Sequence, residues 1–330
     1  MKRLDYYWYA RSPWLLLLTP LSLLYRVAVW LRRTAYRSGI LSSHRLARPV
    51  IVVGNLTVGG TGKTPLVAWL AGHLQQKGFR PGIVARGYGG KARSWPQQVR
   101  TDSDPGIVGD EAVMLAAMTG CPVVVAPDRV AAARQLLDHS DCDVIISDDG
   151  LQHYALQRDL EIAVIDGVRR FGTGFLLPAG PLREPLRRLR EVDLVVVNGI
   201  AGSGEYPMRM LTGQARRLRD PEQQLALAEF RGQSVHAVAG IGNPVRFFQA
   251  LQQHGLRVEG HAFPDHHRFQ AEDIRFGDDR PVFMTEKDAV KCHPFAHGNE
   301  WVVPVRAAMS KVFCDRLDLL LDSRIGESHE

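Results

Sequence analysis

The strongest chemical signal in this sequence is the glycine-rich segment at residues 59–64 (GGTGKT), which follows a short apolar run and precedes a predicted helix. The backbone N–H groups of such a loop can surround a phosphate chain. Its lysine can reach the β- and γ-phosphates, and its threonine hydroxyl can bind Mg²⁺. The general pattern G-x-x-x-x-G-K-[ST] places its first glycine at position 57, which here is Thr57. The predicted phosphate-binding residues are Thr57, Val58, Gly59, Gly60, Thr61, Gly62, Lys63 and Thr64.

A pair of aspartates follows a second apolar run, residues 144–147, and is itself followed by glycine. Aspartate at the carboxyl end of a buried strand is typical of the Walker B position, which holds Mg²⁺ in P-loop proteins. We therefore predict that Asp148 and Asp149 share a magnesium site with Thr64. The alternative is a turn-forming Asp-Asp-Gly after a core strand.

A third carboxylate, Asp110, lies beside Gly109 at the start of a helix predicted over residues 112–118. An anionic side chain is stabilised at a helix N-terminus, so Asp110 is consistent with an N-cap. It is equally consistent with a general base that accepts the proton of an attacking hydroxyl. The residues alone leave both roles open.

Histidines and arginines are concentrated in two other segments. Residues 261–267 (HAFPDHH) are compatible with a surface turn or with a catalytic histidine, whereas adjacent histidines without cysteine or a spaced glutamate are poor zinc ligands. Residues 285–288 (TEKD) lack the spacing of a guanine-reading motif, so GTP specificity is not predicted. The arginines of the proline-rich segment 177–185 could clamp phosphate or lie on a solvated loop.

Short β-branched runs alternate with helical stretches along most of the chain, which predicts a parallel α/β sheet. A second α/β region begins near Ser234. The polar segment 201–230 is interpreted as a connector. The predicted fold is a P-loop NTPase-like domain over residues 49–228 and a smaller α/β lobe over residues 229–330.

Length and composition agree with this organisation. The 330 residues suggest two domains. The net charge of +6 is uneven, since residues 1–50 hold nine Lys/Arg and one acid. The rest of the chain is close to neutral, which argues against a nucleic-acid-binding face. Four widely spaced cysteines without a CxxC pair predict a reducing compartment.

The basic N-terminal segment, residues 1–48, contains an uncharged run at positions 12–25. This run is shorter than the roughly 20 residues that span a bilayer. Interfacial aromatic residues and flanking arginines favour an amphipathic helix lying on an anionic membrane. A helix docked on the protein's own core and a true span are the alternatives.

Taken together, the motifs resemble the tetraacyldisaccharide 4′-kinase family of lipid A biosynthesis. The resemblance runs from the apolar N-terminus to about Arg306, and Thr57 fits the family as well. It is carried, in chain order, by NLTVGGTGKTP, ARGYGG, GDE, PDR, DDGLQH, LPAGPLREP, AGIGNP, FPDHH and TEKDAVKC.

The resemblance implies transfer of the ATP γ-phosphate, with Mg²⁺, to the 4′-hydroxyl of a tetraacylated glucosamine disaccharide 1-phosphate. It implies that Asp110 is the general base, tuned by His266, and that Lys63 takes part in catalysis. The residues that it places on the phosphate and acceptor side are Tyr88, Glu111, Arg129, Gln152, His153, Arg183 and Glu184.

The implied location is the cytoplasmic face of a bacterial inner membrane. The implied partners are the acylated lipid and the membrane surface, with no nucleic acid and no obligate protein partner. A competing hypothesis is a membrane-associated P-loop NTPase without a lipid acceptor, which would hydrolyse ATP independently of lipid.

Overall fold

The computed structural model describes residues 4–10 and 12–325. Nine α-helices are present in this part of the chain. Their bounds are Leu4–Ala10 (α1), Thr19–Arg37 (α2), Lys63–Gln76 (α3), Pro105–Val108 (α4), Asp110–Thr119 (α5), Arg129–His139 (α6), Pro244–Gln253 (α7), Glu286–Cys292 (α8) and Lys311–Arg324 (α9). Short 3₁₀ helices cover Pro13–Leu18, Leu186–Arg190, Leu227–Phe230, Ala271–Ile274 and His293–Phe295.

The described residues also form fifteen strands. These are Val50–Gly54 (β1), Pro81–Ala85 (β2), Gln97–Val99 (β3), Val123–Val125 (β4), Val144–Asp148 (β5), Leu160–Asp166 (β6), Leu194–Asn198 (β7), Tyr206–Thr212 (β8), Ala215–Arg217 (β9), Gln224–Leu225 (β10), Ser234–Ala239 (β11), Arg257–Ala262 (β12), Val282–Thr285 (β13), Glu300–Val303 (β14) and Val305–Met309 (β15).

Nine strands make the larger sheet, in the order β15-β8-β7-β6-β1-β5-β2-β4-β3. Every neighbouring pair from β8 to β4 is parallel, and β15 and β3 pair antiparallel at the two edges. The predicted parallel α/β architecture is confirmed. Parallel strands need crossover connections, and the helices between them cover both faces of the sheet.

Each face of this sheet has its own apolar core. On one face, α3, α5 and α9 contribute Leu70, Val113 and Phe313. On the other face, α6 contributes Val130, and Tyr25 of α2 packs at its margin. The central strands β1 and β5 are buried throughout, as expected for strands that are covered on both sides.

The second sheet has six strands, in the order β10-β9-β14-β13-β11-β12. Its four strands from β14 to β12 are parallel, and β9 and β10 continue antiparallel. Phe283 of β13 is fully buried between Phe230 and the rest of this smaller core. This sheet forms the second lobe.

The two sheets do not follow the predicted boundary at residue 228. The segment interpreted as a connector contains β8, β9 and β10, of which β9 and β10 belong to the second sheet. After β14 the chain returns to the first lobe, where β15 pairs with β8 and Phe313 of α9 enters the first core. The first lobe is therefore completed by β15 and α9, at the C-terminal end of the described chain.

The N-terminal helices lie against the first lobe along one side only. Trp8 Nε1 donates to the carbonyl of Pro178 at 2.9 Å, and Ser22 Oγ donates to that of Leu176 at 2.7 Å. The opposite side exposes Leu17, which is 80% exposed, and its apolar neighbours on α2. The continuous helical segment Pro13–Arg37 is long enough, and over an 18-residue window apolar enough, to cross a membrane.

Candidate active site

The glycine-rich loop connects the carboxyl end of β1 to the first residue of α3. Gly59 and Gly62 adopt φ values of 107° and 97°, a region that side chains rarely occupy. A Cβ atom on Gly62 would lie 2.8 Å from the Asn198 side-chain nitrogen. A side chain at position 62 would therefore strain the loop, and the helix that follows begins at Lys63.

Thr57 occupies the position where the general pattern has its first glycine. Its backbone forms an isolated antiparallel bridge with Leu182. The next amide, that of Val58, donates to the carbonyl of Pro181 at 2.8 Å. Because extended backbone suits any residue, glycine is not needed at this point. The proline-rich segment thus holds the start of the phosphate loop.

Lys63 and Arg183 both point at Asp149, directly after β5. Lys63 Nζ lies 3.6 Å from Asp149 Oδ1, and Arg183 Nη1 lies 3.0 Å from Oδ2. Burial opposes ionisation of this carboxyl group, but the two cations outweigh it and lower its pKa to about 2. Asp149 also adopts a left-handed φ of 50°, which aspartate tolerates better than most residues.

Asp148 has a different environment, although it is the adjacent residue. Its side chain is buried, and Oδ1 has no hydrogen-bond partner among the described residues. Burial, followed by the nearby charge of Glu111, raises its pKa to about 7. A buried, unpartnered carboxylate near the other acids Glu111 and Asp149 fits a hard divalent cation, because such ions prefer oxygen ligands.

Asp110 meets His266 across the cleft between the lobes. Asp110 is the first residue of α5, and His266 lies in the loop after β12. The His266 Nδ1 atom lies 3.1 Å from each carboxylate oxygen of Asp110. Asp110 is not the N-cap of the helix, a position taken by Gly109, so the N-cap alternative is wrong.

The contact shifts the pKa values of both partners. Burial would raise the pKa of Asp110, but the His266 hydrogen bond and the charges of Lys287 and Lys291 lower it overall. The same hydrogen bond raises the pKa of His266 above its ordinary value. Asp110 is therefore held as a carboxylate with its oxygens oriented by the imidazole.

Two lysines of α8 surround this pair. Lys287 Nζ lies 3.0 Å from both Glu111 Oε1 and Asp265 Oδ1 and 3.4 Å from His266 Nε2. Lys291 Nζ lies 3.6 Å from Asp110 Oδ2. The sequence interpretation gave neither lysine a role, since the TEKD segment was considered only as a guanine-reading motif.

Tyr88 lies next to the same pair, on the glycine-rich loop after β2. Its ring centroid is 5.0 Å from that of His266, and the residue is 61% exposed. The loop fits closely against α5, because a Cβ atom on Gly109 would lie 2.7 Å from the Tyr88 carbonyl. Tyr88 is therefore both close to the His266 ring and open to a ligand.

Arg129 and His153 lie together at the N-terminus of α6, with Arg129 buried. The Arg129 side chain donates to the carbonyls of Ala126 and Pro127. Burial lowers the pKa of Arg129 to about 10, while the carboxylates of Asp148 and Asp149 act in the opposite direction. Burial, together with the Arg129 charge, lowers the pKa of His153 to about 4, so this imidazole is neutral near neutral pH.

Gln152 contacts Arg183 and is itself held by Glu184. The Gln152 amide donates to Glu184 Oε2 at 3.1 Å, and its carbonyl accepts from Arg183 Nη1 at 3.3 Å. Glu184 is 1% exposed and also contacts Tyr154 and Arg33. Its position suits a residue that supports Arg183 from within the lobe.

A second contact between the lobes lies at the phosphate loop itself. Asn198, the last residue of β7, donates from Nδ2 to the Thr61 carbonyl at 3.2 Å and accepts from Arg246 Nη2 at 2.9 Å. Arg169 donates to the carbonyl of Gly242. The sequence interpretation assigned no function to these residues; the position of Asn198 at the end of a strand was the available signal.

The site combines a phosphate loop and two aspartates at the carboxyl edge of a parallel sheet with a carboxylate that a histidine of the second lobe orients. Together these features define a class of protein. The class is that of the P-loop phosphotransferases. Comparisons with known proteins identify the family within it.

The sequence profile of the tetraacyldisaccharide-1-P 4′-kinase family matches residues 14–322. A tetraacyldisaccharide 4′-kinase of Nitrosococcus oceani is 58% identical over 307 residues, or 93% of this chain and 90% of its own. One from Alkalilimnicola ehrlichii is 52% identical over 331 residues, covering 97% of both chains. The crystal structure of LpxK from Aquifex aeolicus in complex with ATP superimposes with a TM-score of 0.78, at 29% identity over 93% of this chain and 98% of that one.

The chain belongs to the tetraacyldisaccharide 4′-kinase family, the kinases of lipid A biosynthesis. The predicted family, fold class and kinase activity are confirmed. The Aquifex aeolicus structure supports ATP as the nucleotide.

Proposed function

We propose that this chain transfers the γ-phosphate of ATP to the 4′-hydroxyl of a tetraacylated glucosamine disaccharide 1-phosphate through the residues of the interlobe cleft. The observation that carries the proposal is the contact between Asp110 and His266 at 3.1 Å. Glu111, next to Asp110, is close enough to Asp148 to raise its pKa. The proton-accepting pair and the nucleotide site therefore face the same space.

The nucleotide half binds and neutralises phosphate. In the proposal, the backbone of residues 57–64 surrounds the phosphates while Lys63 contacts the β- and γ-oxygens. Thr64 and Asp148 hold Mg²⁺, with Asp149 beside them, and a bound Mg²⁺ ion would neutralise the charge that develops on the transferring phosphoryl group. Phosphate oxygens would replace Asp149 as the partner of Lys63, whose Nζ atom lies 3.6 Å from Asp149 Oδ1.

Asp110 accepts the proton of the attacking hydroxyl. As the acceptor oxygen bonds to the γ-phosphorus, the bond between that phosphorus and the bridging oxygen breaks, and ADP leaves with the electron pair. A carboxylate of lowered pKa is sufficient, because the transition state of phosphoryl transfer is loose and needs little proton removal. His266 positions the carboxylate and stabilises its charge.

The other predicted residues are proposed to define the path of the phosphate and the acceptor. Tyr88 and Glu111 lie on the Asp110 side of the cleft, where the sugar would enter. Arg183 would bind phosphate oxygens in exchange for Asp149, and Gln152 and Glu184 would hold it in place. Arg129 would complete the positive wall behind the aspartates, and the neutral His153 ring would support it by accepting a hydrogen bond from the Arg129 backbone N–H.

The N-terminal helices are proposed to rest on the anionic cytoplasmic face of the inner membrane. The apolar side of α2 is exposed, and arginines such as Arg26 and Arg32 flank it. Such a surface suits the headgroup region, where an acylated acceptor would lie. The proposal involves no nucleic acid and requires no protein partner.

The decisive experiment combines the purified chain, γ-labelled ATP, Mg²⁺ and the tetraacylated disaccharide 1-phosphate in detergent. We expect label in the lipid only when all components are present. ATP hydrolysis that proceeds equally without lipid, with no labelled lipid, would support the alternative of a P-loop NTPase without a lipid acceptor.

The membrane role is tested with point variants, because deletion of α2 would also remove the packing of Ser22 and Tyr25. We expect L17S together with L24S to lower co-sedimentation with anionic vesicles while the rate on detergent-dispersed lipid is kept. The matched control is I200S, since Ile200 is 91% exposed but far from α2 in the sequence. Equal vesicle binding by both variants would contradict the proposed anchor.

A further inference from the structure

Two histidines of the second lobe lie in contact on neighbouring strands, away from the proposed catalytic residues. His236 lies on β11, and His261 and Glu259 lie on β12. In the parallel register, Glu259 is opposite His236 and His261 is opposite Val238. Residues two apart in a strand share one face, so all three side chains lie on the same side of the sheet.

Their donor atoms converge on one point. His236 Nδ1 is 2.9 Å from His261 Nε2 and 3.9 Å from Glu259 Oε2, and His261 Nε2 is 4.0 Å from Glu259 Oε1. With Zn–ligand bonds of about 2.0–2.2 Å, a tetrahedral ion separates its ligand atoms by roughly 3.4 Å. The observed separations lie on both sides of that value, so small side-chain rotations would suffice.

The surroundings orient the imidazoles as ligands. His236 Nε2 lies 3.2 Å from both oxygens of Asp278, which favours a proton on Nε2 and leaves the Nδ1 lone pair facing the cluster. A carboxylate behind a histidine is the usual outer-shell partner at zinc sites. Phe276 stacks on both rings, with centroids 4.0 and 4.2 Å away.

The charges also fit a cation. His236 is 2% exposed, and the Asp278 carboxylate behind it adds a second negative group beside the cluster. Arg280 Nη1 pairs with Glu259 Oε2 at 2.9 Å, and Oε1 lies 4.0 Å from His261 Nε2. Glu259 itself is 55% exposed, which leaves an open side for water as the fourth ligand.

We propose that His236, Glu259 and His261 form a binding site for Zn²⁺ that fastens the edge strand β12 to β11, independently of the catalytic Mg²⁺ site. Two imidazoles and one carboxylate are a donor set that suits zinc better than magnesium. The site lies at one end of the segment that the sequence interpretation considered for zinc, but its other ligands come from β11 and from earlier in β12.

The test is titration of Zn²⁺ into the metal-stripped full chain, without Mg²⁺ or nucleotide, against a chromophoric chelator. We expect one tight equivalent that both H261Q and E259Q weaken by more than about 100-fold and D278N by about 10- to 100-fold. The control H139Q removes an exposed histidine whose ring forms a hydrogen bond with the Gln135 carbonyl, and it should bind zinc as the wild type does.

Two further readouts separate this site from zinc bound elsewhere. Co²⁺ should give visible absorption bands in the wild type that are lost in H261Q. Zn²⁺ should raise the Tm of the wild type but not that of H261Q. Circular dichroism spectra of metal-free H261Q and E259Q that match the wild type show that the variants are folded. Zinc affinity that is equal in the wild type and both variants, or absent from the wild type, would overturn the proposal and leave a hydrogen-bonded histidine pair.

Discussion

The two halves of the interlobe cleft are built in different ways. The nucleotide half comes from one sheet edge, where the loop after β1 and the aspartates after β5 lie on adjacent parallel strands. The proton-accepting half is made by Asp110 and His266, which are 156 residues apart and on different lobes. The nucleotide half is therefore fixed by one fold unit, whereas the other half depends on how two units meet.

Backbone strain is present in both halves. Among the described residues, only Asp149, Arg170 and His266 combine a positive φ with a side chain other than glycine. Two of these three belong to the proposed site. Such conformations cost of order 1–3 kcal/mol and persist only where the surroundings enforce them. The difference between the halves predicts that ATP binding and phosphate transfer can be separated by mutation.

The largest effect is expected from K63A in the nucleotide half. Loss of the ammonium removes a charge from the transferring phosphate, and we expect kcat/KM to fall by about 10³-fold, with weaker ATP binding. Steady-state kinetics and calorimetric titration of ATP measure the two effects. The control is K77A, because Lys77 pairs with Asp318 at the far end of the same helix. Wild-type rates in K63A would contradict the assignment of residues 57–64 as the phosphate-binding loop.

D110N should impair the proton-accepting half of the cleft and leave ATP binding unchanged. The amide keeps the size of the side chain but cannot accept a proton, so we expect kcat to fall by about 10²-fold while the ATP dissociation constant is unchanged. The matched control is D104N, since Asp104 caps the short helix α4 just before. A parallel loss of ATP affinity in D110N would instead make Asp110 a nucleotide or metal ligand.

The same difference between the nucleotide half and the proton-accepting half separates what the sequence predicted from its residues and what it predicted only by family resemblance. Residues 59–64 and Asp148 with Asp149 are contiguous patterns beside predicted strands, so they and the parallel sheet followed from the residues alone. The general-base role of Asp110 and its link to His266 came from family resemblance, because no local pattern encodes a contact between lobes.

Non-local pairing explains the remaining errors of the sequence interpretation. Strand β15 follows a proline directly and pairs with β8, about a hundred residues earlier, so its sheet could not be inferred from its own residues. The strands within 201–230 have exposed edges and weak apolar alternation. The role of Lys287 was missed because Lys287 and its two partners, Glu111 and Asp265, lie on three separate segments of the chain.

K287M should weaken the junction between the lobes without removing either catalytic group. Lys287 bridges Glu111 and Asp265 and touches His266, so its loss should misplace the imidazole. We expect kcat to fall by about 10-fold with little change in ATP affinity. K311M is the control, because Lys311 begins α9 on the surface. An unchanged kcat would show that the junction does not depend on this lysine.

The smallest expected effect is a change in the pKa of His266, which can be measured without running the kinase reaction. The Asp110 hydrogen bond raises the pKa of His266, so the folded chain binds that proton more tightly than the unfolded chain. This contribution to stability is present below the ordinary histidine pKa and is lost as the pH rises through the raised value. In D110N we expect the His266 pKa, followed by NMR, to fall. D273N, which removes the partner of His267, should leave the His266 titration unchanged. A His266 pKa that is the same in the wild type and D110N would mean that the two lobes do not hold this contact in solution.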